Sequence, residues 1–185
     1  GLDSATDQLA QNQNRNKTNR ELIHNTNEKL SATESKMEAL RNITERYDGY
    51  GNSIRRVMEQ KQWNPGIIGV VADIITVNQK YEVAVETALG GSIQNIVTED
   101  DATAKRMISY LKTNRLGRAT FLPLNTITDR GSVRNDVLRE KGVIGVASDL
   151  VEVDSKFNTL VKNLLGKIIV VDNIDNALAV ARKNN

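Results

Sequence analysis

The sequence offers few side chains that could carry out covalent chemistry. It contains no cysteine and a single histidine, His24. The lack of cysteine excludes disulfides, thiolate nucleophiles and Cys-ligated zinc. His24 lies in a polar N-terminal segment, outside its apolar rows, so we expect an exposed side chain. No P-loop, no HExxH motif and no GxGxxG motif after a strand occurs. These observations predict a non-enzymatic chain with no metal or cofactor site.

Two aspartates occupy matched positions in two similar segments. Asp73 lies in GIIGVVADIITV, residues 66–77, and Asp149 lies in GVIGVASDLVEV, residues 142–153. A pair of carboxylates can act as general acid and general base when the two groups converge. Here each carboxylate belongs to its own copy of the repeated segment. We therefore expect each aspartate to stabilise a turn or a helix cap.

The same two segments each begin with a Gly-x-x-Gly motif, at Gly66 and Gly69 and at Gly142 and Gly145. Such a motif can clamp a nucleic-acid backbone, as in KH domains. Neither motif contains a lysine or an arginine, and apolar residues follow each one. The pattern therefore favours tight turns that lead into buried strands.

Basic residues form two clusters that could contact phosphate groups. Residues 102–128 contain no aspartate or glutamate. Within this interval lie five basic residues: Lys105, Arg106, Lys112, Arg115 and Arg118. The second cluster comprises Arg55, Arg56 and Lys61, with Glu59 among them. Such clusters bind DNA without reading its base sequence, or they are ordinary solvated faces.

The elements that carry these residues are arranged as a repeat. Residues 66–90 align with residues 142–166 without a gap, and ten of 25 positions are identical. Each copy predicts a strand, a capped amphipathic helix that ends at Gly90 or Gly166, a second strand and a second helix. The second strands are expected over residues 93–98 and 168–172. Residues 98–101 and 172–175 offer capping oxygens at the start of the second helices. In the second helix of the first copy, Ala104, Met107, Ile108 and Leu111 form the predicted buried stripe.

A short amphipathic helix is expected before the first copy, with Ile54, Val57 and Met58 on one face.

Short strands that alternate with helices indicate an α/β or α+β fold with two similar lobes. We expect the first lobe over about residues 52–124, a linker over 125–141 and the second lobe over 142–185. Residues 117–124 predict one more strand, and Pro123 places that strand at a sheet edge or marks its end.

The N-terminal 47 residues have a different composition, rich in Asn, Gln, Thr, Glu and Lys. One row of a heptad pattern contains Leu2, Leu9, Asn16, Ile23, Leu30, Met37 and Thr44, and a second contains Ala5, Asn12, Asn19, Thr26, Thr33, Leu40 and Tyr47. These rows predict a coiled-coil arm that requires a partner helix. We expect glycines within residues 47–51 to end it in a left-handed turn. No stretch is apolar for long enough to span a membrane.

Several strings together resemble a known family. These are GVVADIITV, KYEVAVETALGGSIQNIVTEDDATAKRMISYL, GRATFLPL, GVIGVASDLVEV and LVKNLLGKIIVVDNIDNALAV. They are similar to the hinge domain of SMC (structural maintenance of chromosomes) proteins of the bacterial condensin type. The similarity covers about residues 47–185, and residues 1–46 resemble the arm helix that enters the hinge. In that family the sequence continues past the position of Asn185 with a further strand, so the second lobe is expected to be incomplete.

The resemblance implies a function. An SMC hinge joins two chains of a chromosome-organising ATPase, whose heads lie outside this sequence, and supports chromosome condensation and segregation. The expected partners are a second copy of the chain, a coiled-coil helix and non-specifically bound DNA, in a cytoplasmic, nucleoid-associated protein. DNA contact is expected at the eight basic residues named above. The candidate dimer interface comprises Gly90 and Gly91, followed by an expected strand of Ser92, Ile93, Gln94 and Asn95.

Two alternatives stay open at this point. In the first, the chain is primarily a DNA-binding module and dimerisation is secondary. In the second, it is a ligand-sensing α/β repeat domain on a coiled-coil stalk, although no cluster of inward-facing polar residues predicts a ligand pocket.

Overall fold

The computed structural model describes residues 1–184, and the chain divides into two compact units, Gly1–Asp48 and Gly49–Asn185. The first unit is a single helix, α1, over Leu2–Arg46. Its apolar residues Leu9, Ile23, Leu30 and Met37 are all more than half exposed. Among residues 1–184, none of the helices combines the length and the apolar composition that a membrane span requires.

Helix α1 ends at the predicted place but by a different mechanism. Its C-cap is Tyr47, with a φ of −107°, and the Tyr47 N–H donates to the Ile43 carbonyl. Neither Gly49 nor Gly51 adopts a positive φ, so the expected left-handed glycine stop was wrong. Gly51 instead has an extended conformation and precedes the next helix as its N-cap.

The first lobe of the second unit contains a three-stranded sheet and four helices. Its elements are α2 (Asn52–Glu59), β1 (Ile67–Val70), α3 (Val71–Ile74), β2 (Thr76–Val77), α4 (Glu82–Leu89), β3 (Ile96–Thr98), α5 (Asp101–Thr113) and β4 (Phe121–Pro123). The sheet order is β1-β3-β4. Strand β3 is antiparallel to β1 and parallel to β4. Pro123 therefore ends a strand at the edge of the sheet, as the sequence predicts.

The second lobe repeats the arrangement of the first. Its elements are β5 (Val143–Val146), β6 (Val151–Glu152), α6 (Asn158–Leu165), β7 (Ile169–Val171) and α7 (Ile174–Lys183). Strands β5 and β7 pair antiparallel, with a register irregularity between Val143 and Gly145. Strands β1 and β3 have the same irregularity between Ile67 and Gly69. The mixed helix-and-sheet fold with two similar lobes is thus confirmed.

The two lobes share one hydrophobic core. Strands β2 and β6 pair with each other, so the smallest sheet contains one strand from each lobe. The first lobe contributes Val71, Val85, Leu89 and Val97 to the core, and the second contributes Ala147, Phe157, Leu160, Val161, Leu165 and Val170. Burial of these aliphatic side chains holds the lobes together as one body.

A second set of buried residues lies under α2 and α5. Helix α2 buries Ile54, Val57 and Met58, the three residues that its pattern predicts. Helix α5 buries Thr103, Ala104, Met107 and Leu111. The prediction that Ile108 is buried was wrong, because this side chain is 50% exposed. Thr103 and Met107 stand four residues apart and define the centre of the buried face, which leaves Ile108 at its margin.

Candidate self-association edges and basic surface

The outer edge of β4 carries backbone groups that no strand within residues 1–184 covers. The Ile96 N–H donates to the Thr120 carbonyl, and the Leu124 N–H donates to the Thr98 carbonyl, each at 2.9 Å. The backbone groups of the even-numbered residues in and beside β4 therefore form hydrogen bonds with β3. Because hydrogen bonding alternates along a strand, the N–H and C=O of Phe121 face the open edge.

Strand β7 has an open edge as well. The Asp172 N–H donates to the Gly142 carbonyl at 2.9 Å, which places the even-numbered residues of this segment against β5. The backbone groups of Ile169 and Val171 then face the opposite edge. In the first lobe, the corresponding groups of β3 bond to β4. Within residues 1–184 no strand takes that place beside β7.

The candidate interface segment, residues 90–95, does not contain the strand expected over residues 92–95. Gly90–Gln94 is a 3-10 turn, and strand β3 begins at Ile96. Gly90 has a φ of +51°, which redirects the chain as α4 ends. The Asn95 carbonyl accepts a bond from the Val71 N–H at 3.0 Å, inside its own lobe. The predicted strand over residues 92–95 was therefore wrong, whereas the place of residues 90–95 in a dimer interface stays a prediction.

Five of the eight candidate DNA-contacting residues have partners within their own lobe. These bonds and ion pairs are Arg55 to Asn52 (3.4 Å), Arg56 to Glu59 (3.1 Å), the Lys61 ammonium to the Ile68 carbonyl (2.7 Å), Lys105 to Asp101 (3.6 Å) and Arg106 to Thr103 (3.0 Å). Each partner holds the cation in place and reduces its freedom to meet a phosphate. Four of these partners stand three or four residues from the cation on the same helix, a spacing that helical periodicity could have identified. The fifth, the Ile68 carbonyl, could not be identified from the sequence.

The remaining three residues, Lys112, Arg115 and Arg118, form what we call the basic trio. All three are exposed, and within residues 1–184 their side chains have neither an ion-pair partner nor a hydrogen-bond partner. Arg115 has a φ of +53°, an uncommon conformation for a residue with a Cβ. Lys112 and Arg118 line one cavity of about 470 Å³, together with Ile108, Leu111, Gly117 and Ala119. The structure thus brings these two cations beside an apolar depression.

Polar contacts fix both ends of the segment that carries the basic trio and β4. The Ser53 hydroxyl donates to the Arg118 carbonyl at 2.6 Å, which ties α2 to the start of this segment. Beyond β4, Asn125 and Asp101 exchange two hydrogen bonds of 3.0 and 2.9 Å. The bond from the Asn125 side chain lowers the pKa of the Asp101 carboxyl. The edge strand is therefore held to both α2 and α5.

The two aspartates and the histidine considered for acid-base chemistry lie apart from one another, in turns or on a helix. The Asp73 carboxylate accepts from the Val70 N–H at 3.4 Å and caps α3, as predicted. Asp149 lies in the equivalent turn of the second lobe, Ala147–Leu150. His24 is exposed on α1, with its Nε2 atom 3.3 Å from Glu28. Each aspartate therefore lies in the turn that follows the first strand of its own repeat.

Comparison with known proteins agrees with this geometry. The family model for the SMC proteins Flexible Hinge Domain matches residues 64–181, which include both lobes. The chain belongs to the SMC hinge family. Two curated SMC relatives are Chromosome partition protein Smc of Lactiplantibacillus plantarum, 40% identical over 156 residues, and that of Bacillus subtilis, 38% identical over 151. These alignments cover 83% and 80% of this chain but 13% of each relative.

Solved SMC hinges have the same fold. An asymmetric dimer of the Geobacillus stearothermophilus SMC hinge domain is 34% identical, with a TM-score of 0.71 over 87% of this chain and 67% of that one. The Pyrococcus furiosus SMC hinge domain is 36% identical, with a TM-score of 0.59 over 78% of this chain and 75% of that one. The family resemblance drawn from the quoted strings is therefore confirmed.

Proposed function

We propose that this SMC hinge joins two copies of its chain by strand addition. The β4 edge of one copy pairs with the outer strand edge of the second lobe in the other copy, and the reciprocal pair closes the dimer. The observation that carries this proposal is the outer edge of β4, where the Phe121 N–H and C=O meet no strand within residues 1–184. A strand added there gains backbone hydrogen bonds like those that β4 makes to β3.

The two-lobed architecture suits such an exchange. Each copy has one outer strand edge in each lobe, so a two-fold axis generates two equal contacts. The relative from Geobacillus stearothermophilus is described as a dimer. Residues 90–95, with the exposed Gly90 and Gly91, remain a candidate part of the same interface.

A proline at position 121 tests strand addition directly. The Phe121 N–H faces the open edge, so Phe121→Pro removes an edge donor while it leaves the β3–β4 hydrogen bonds in place. Phe121→Ala is the matched control, because it removes the same side chain and keeps the N–H. We expect Phe121→Pro to dissociate the dimer at concentrations at which Phe121→Ala is still dimeric. Equal association of the two variants would show that β4 is not an interface strand.

Helix α1 has a separate proposed role as a coiled-coil arm. Its exposed apolar residues repeat every seven positions, and an isolated helix gains little from such a stripe. The asparagines at positions 12, 16 and 19 would fix the register of the pairing rather than add to its stability. The expected partner is another arm helix.

In the parent protein, this hinge would link two chains of an ATPase that condenses and partitions chromosomes at the nucleoid. We propose a weak, non-specific DNA contact as a secondary activity, and we assign it first to the basic trio. The supporting observation is that Lys112, Arg115 and Arg118 lack partners within residues 1–184, whereas the other five basic residues have them. If a variant that no longer dimerises still binds DNA, this result would support the alternative, in which the chain is primarily a DNA-binding module.

A further inference from the structure

The outer edge of β1 is covered by the turn that precedes this strand. The register irregularity in β1 leaves Ile68 as an extra residue outside the ladder with β3. The Ile68 carbonyl accepts a hydrogen bond from the Lys61 ammonium at 2.7 Å. The Ile67 N–H donates to the Asn64 carbonyl at 3.0 Å. Neither bond goes to β3, so two backbone groups that could receive an added strand already have partners.

The second lobe indicates that the fold itself does not require this lysine. Its corresponding turn keeps the backbone bond, from the Val143 N–H to the Glu140 carbonyl at 3.2 Å. This correspondence aligns Lys61 with Val137, which is apolar and buried. Strand β5 nevertheless forms, with the same register irregularity as β1. Strand formation therefore does not account for the bond that Lys61 makes in the first lobe.

A free β1 edge would conflict with strand addition at β4. The sheet of the first lobe has two outer strands, β1 and β4. If both accepted a strand, each copy could bind neighbours on two sides of one sheet, and such contacts build open-ended assemblies instead of closed dimers. Lysines at strand edges oppose this kind of pairing, because an added strand would have to displace or bury the charge.

We infer that Lys61 determines which edge of the first-lobe sheet associates, because it blocks β1 and leaves β4 available. This role rests on the proposed strand addition at β4. The Lys61 side chain is exposed, so its ammonium stays hydrated while it occupies the carbonyl that an added strand would need. Lys61 acts by exclusion, and its loss is therefore expected to add a contact between copies.

Lys61→Met tests the inference, because methionine keeps an unbranched side chain of similar length without charge or N–H donors. Lys61→Arg keeps both, and Lys80→Met removes one charge from another exposed lysine of the same lobe. All three are made in a full-length chain in which Leu9→Glu, Ile23→Glu and Leu30→Glu disrupt the apolar stripe of α1. By sedimentation velocity we expect Lys61→Met to form species larger than a dimer, whereas Lys61→Arg and Lys80→Met do not. A folded Lys61→Met variant without larger species would overturn the inference.

Phe121→Pro separates this inference from the proposed β4 interface. With the β4 edge blocked, any association that Lys61→Met adds must use another edge. We expect the double variant to have about two-fold or more of the weight-average mass of Phe121→Pro alone at equal concentration. If Phe121→Pro alone is still a dimer, the β4 interface is contradicted, whereas a gain in mass from Lys61→Met still supports the block at β1.

Equal masses of the single and double variants would overturn the role of Lys61. Circular dichroism confirms that each variant is folded. Lys61→Ala, which also lacks a donor, replaces Lys61→Met in both experiments if the methionine variant does not fold, and the same outcomes decide the inference.

Discussion

Gly66 packs so closely against Thr103 that a Cβ atom at position 66 would collide with the Thr103 hydroxyl. The Gly66 carbonyl also accepts a bond from the Glu99 N–H at 2.8 Å. In the second lobe, a Cβ at Gly142 would collide with the side chain of Asn176. The first glycine of each Gly-x-x-Gly motif thus allows the start of the first strand to lie close to the second helix of its copy, α5 or α7, which accounts for that glycine without a nucleic-acid ligand.

Gly66→Ala is therefore expected to destabilise the protein. Overpacking at a site this closed costs about 1–3 kcal/mol in the free energy of unfolding, measured by urea denaturation. In the Thr103→Ala background, which lacks the colliding hydroxyl and methyl groups, the same change should cost less. Gly91→Ala is the control, since no atom lies within 4 Å of a Cβ built there. Strictly additive effects of Gly66→Ala and Thr103→Ala would contradict the proposed contact.

The cap of α5 is expected to weaken in acid. The Asp100 carboxylate accepts from the Thr103 N–H at 2.7 Å, and this bond lowers the pKa of Asp100. A group whose pKa is lower in the folded state stabilises the fold above its unfolded pKa of about 3.9, and this contribution is lost as the pH falls through the folded pKa. Asp100→Asn keeps an acceptor and should reduce the fall in Tm between pH 7 and pH 3.

The second lobe provides the converse of this experiment. Its equivalent cap, Asn173, is already an amide, and its side chain accepts from the Asn176 N–H at 2.9 Å. Asn173→Asp should therefore introduce acid sensitivity where Asp100→Asn removes it. If both substitutions leave the pH dependence of Tm unchanged, the caps make no measurable contribution to the acid stability.

The basic trio is expected to account for most of any DNA affinity of the globular unit. Lys112→Glu with Arg118→Glu should weaken binding to duplex DNA at least ten-fold at low salt. The slope of log K against log salt should fall by about 1.8, because each lost phosphate contact removes about 0.9. The charge-matched control is Lys156→Glu with Lys167→Glu in the second lobe. Equal losses from both pairs would indicate a general charge effect instead of a local site.

The repeat and the caps were readable from the sequence because they depend on local patterns. Glycine, apolar and capping residues recur at fixed offsets, and capping oxygens were expected within residues 98–101 and 172–175, where Asp100 and Asn173 form the caps. The buried face of α2 followed from helical spacing alone. By contrast, the expected strand over residues 92–95 does not form, because the positive φ of Gly90 and the 3-10 turn over Gly90–Gln94 delay the start of β3 to Ile96.

The candidate surfaces were less accessible to sequence reasoning, because they depend on long-range contacts. Strands of three residues carry too little periodicity to show which edge is left open. A cation's partner also cannot be predicted from residue spacing when it is a backbone carbonyl outside the helix, as for Lys61 and Ile68.

Sedimentation equilibrium across micromolar concentrations tests the central claim, that the two-lobed unit joins two chains. The intact chain is compared with a variant whose arm stripe is disrupted by Leu9→Glu, Ile23→Glu and Leu30→Glu. We predict that both sediment as dimers or larger, because the strand edges lie outside α1. A disrupted-stripe variant that is monomeric throughout would contradict the account and would assign association to the arm.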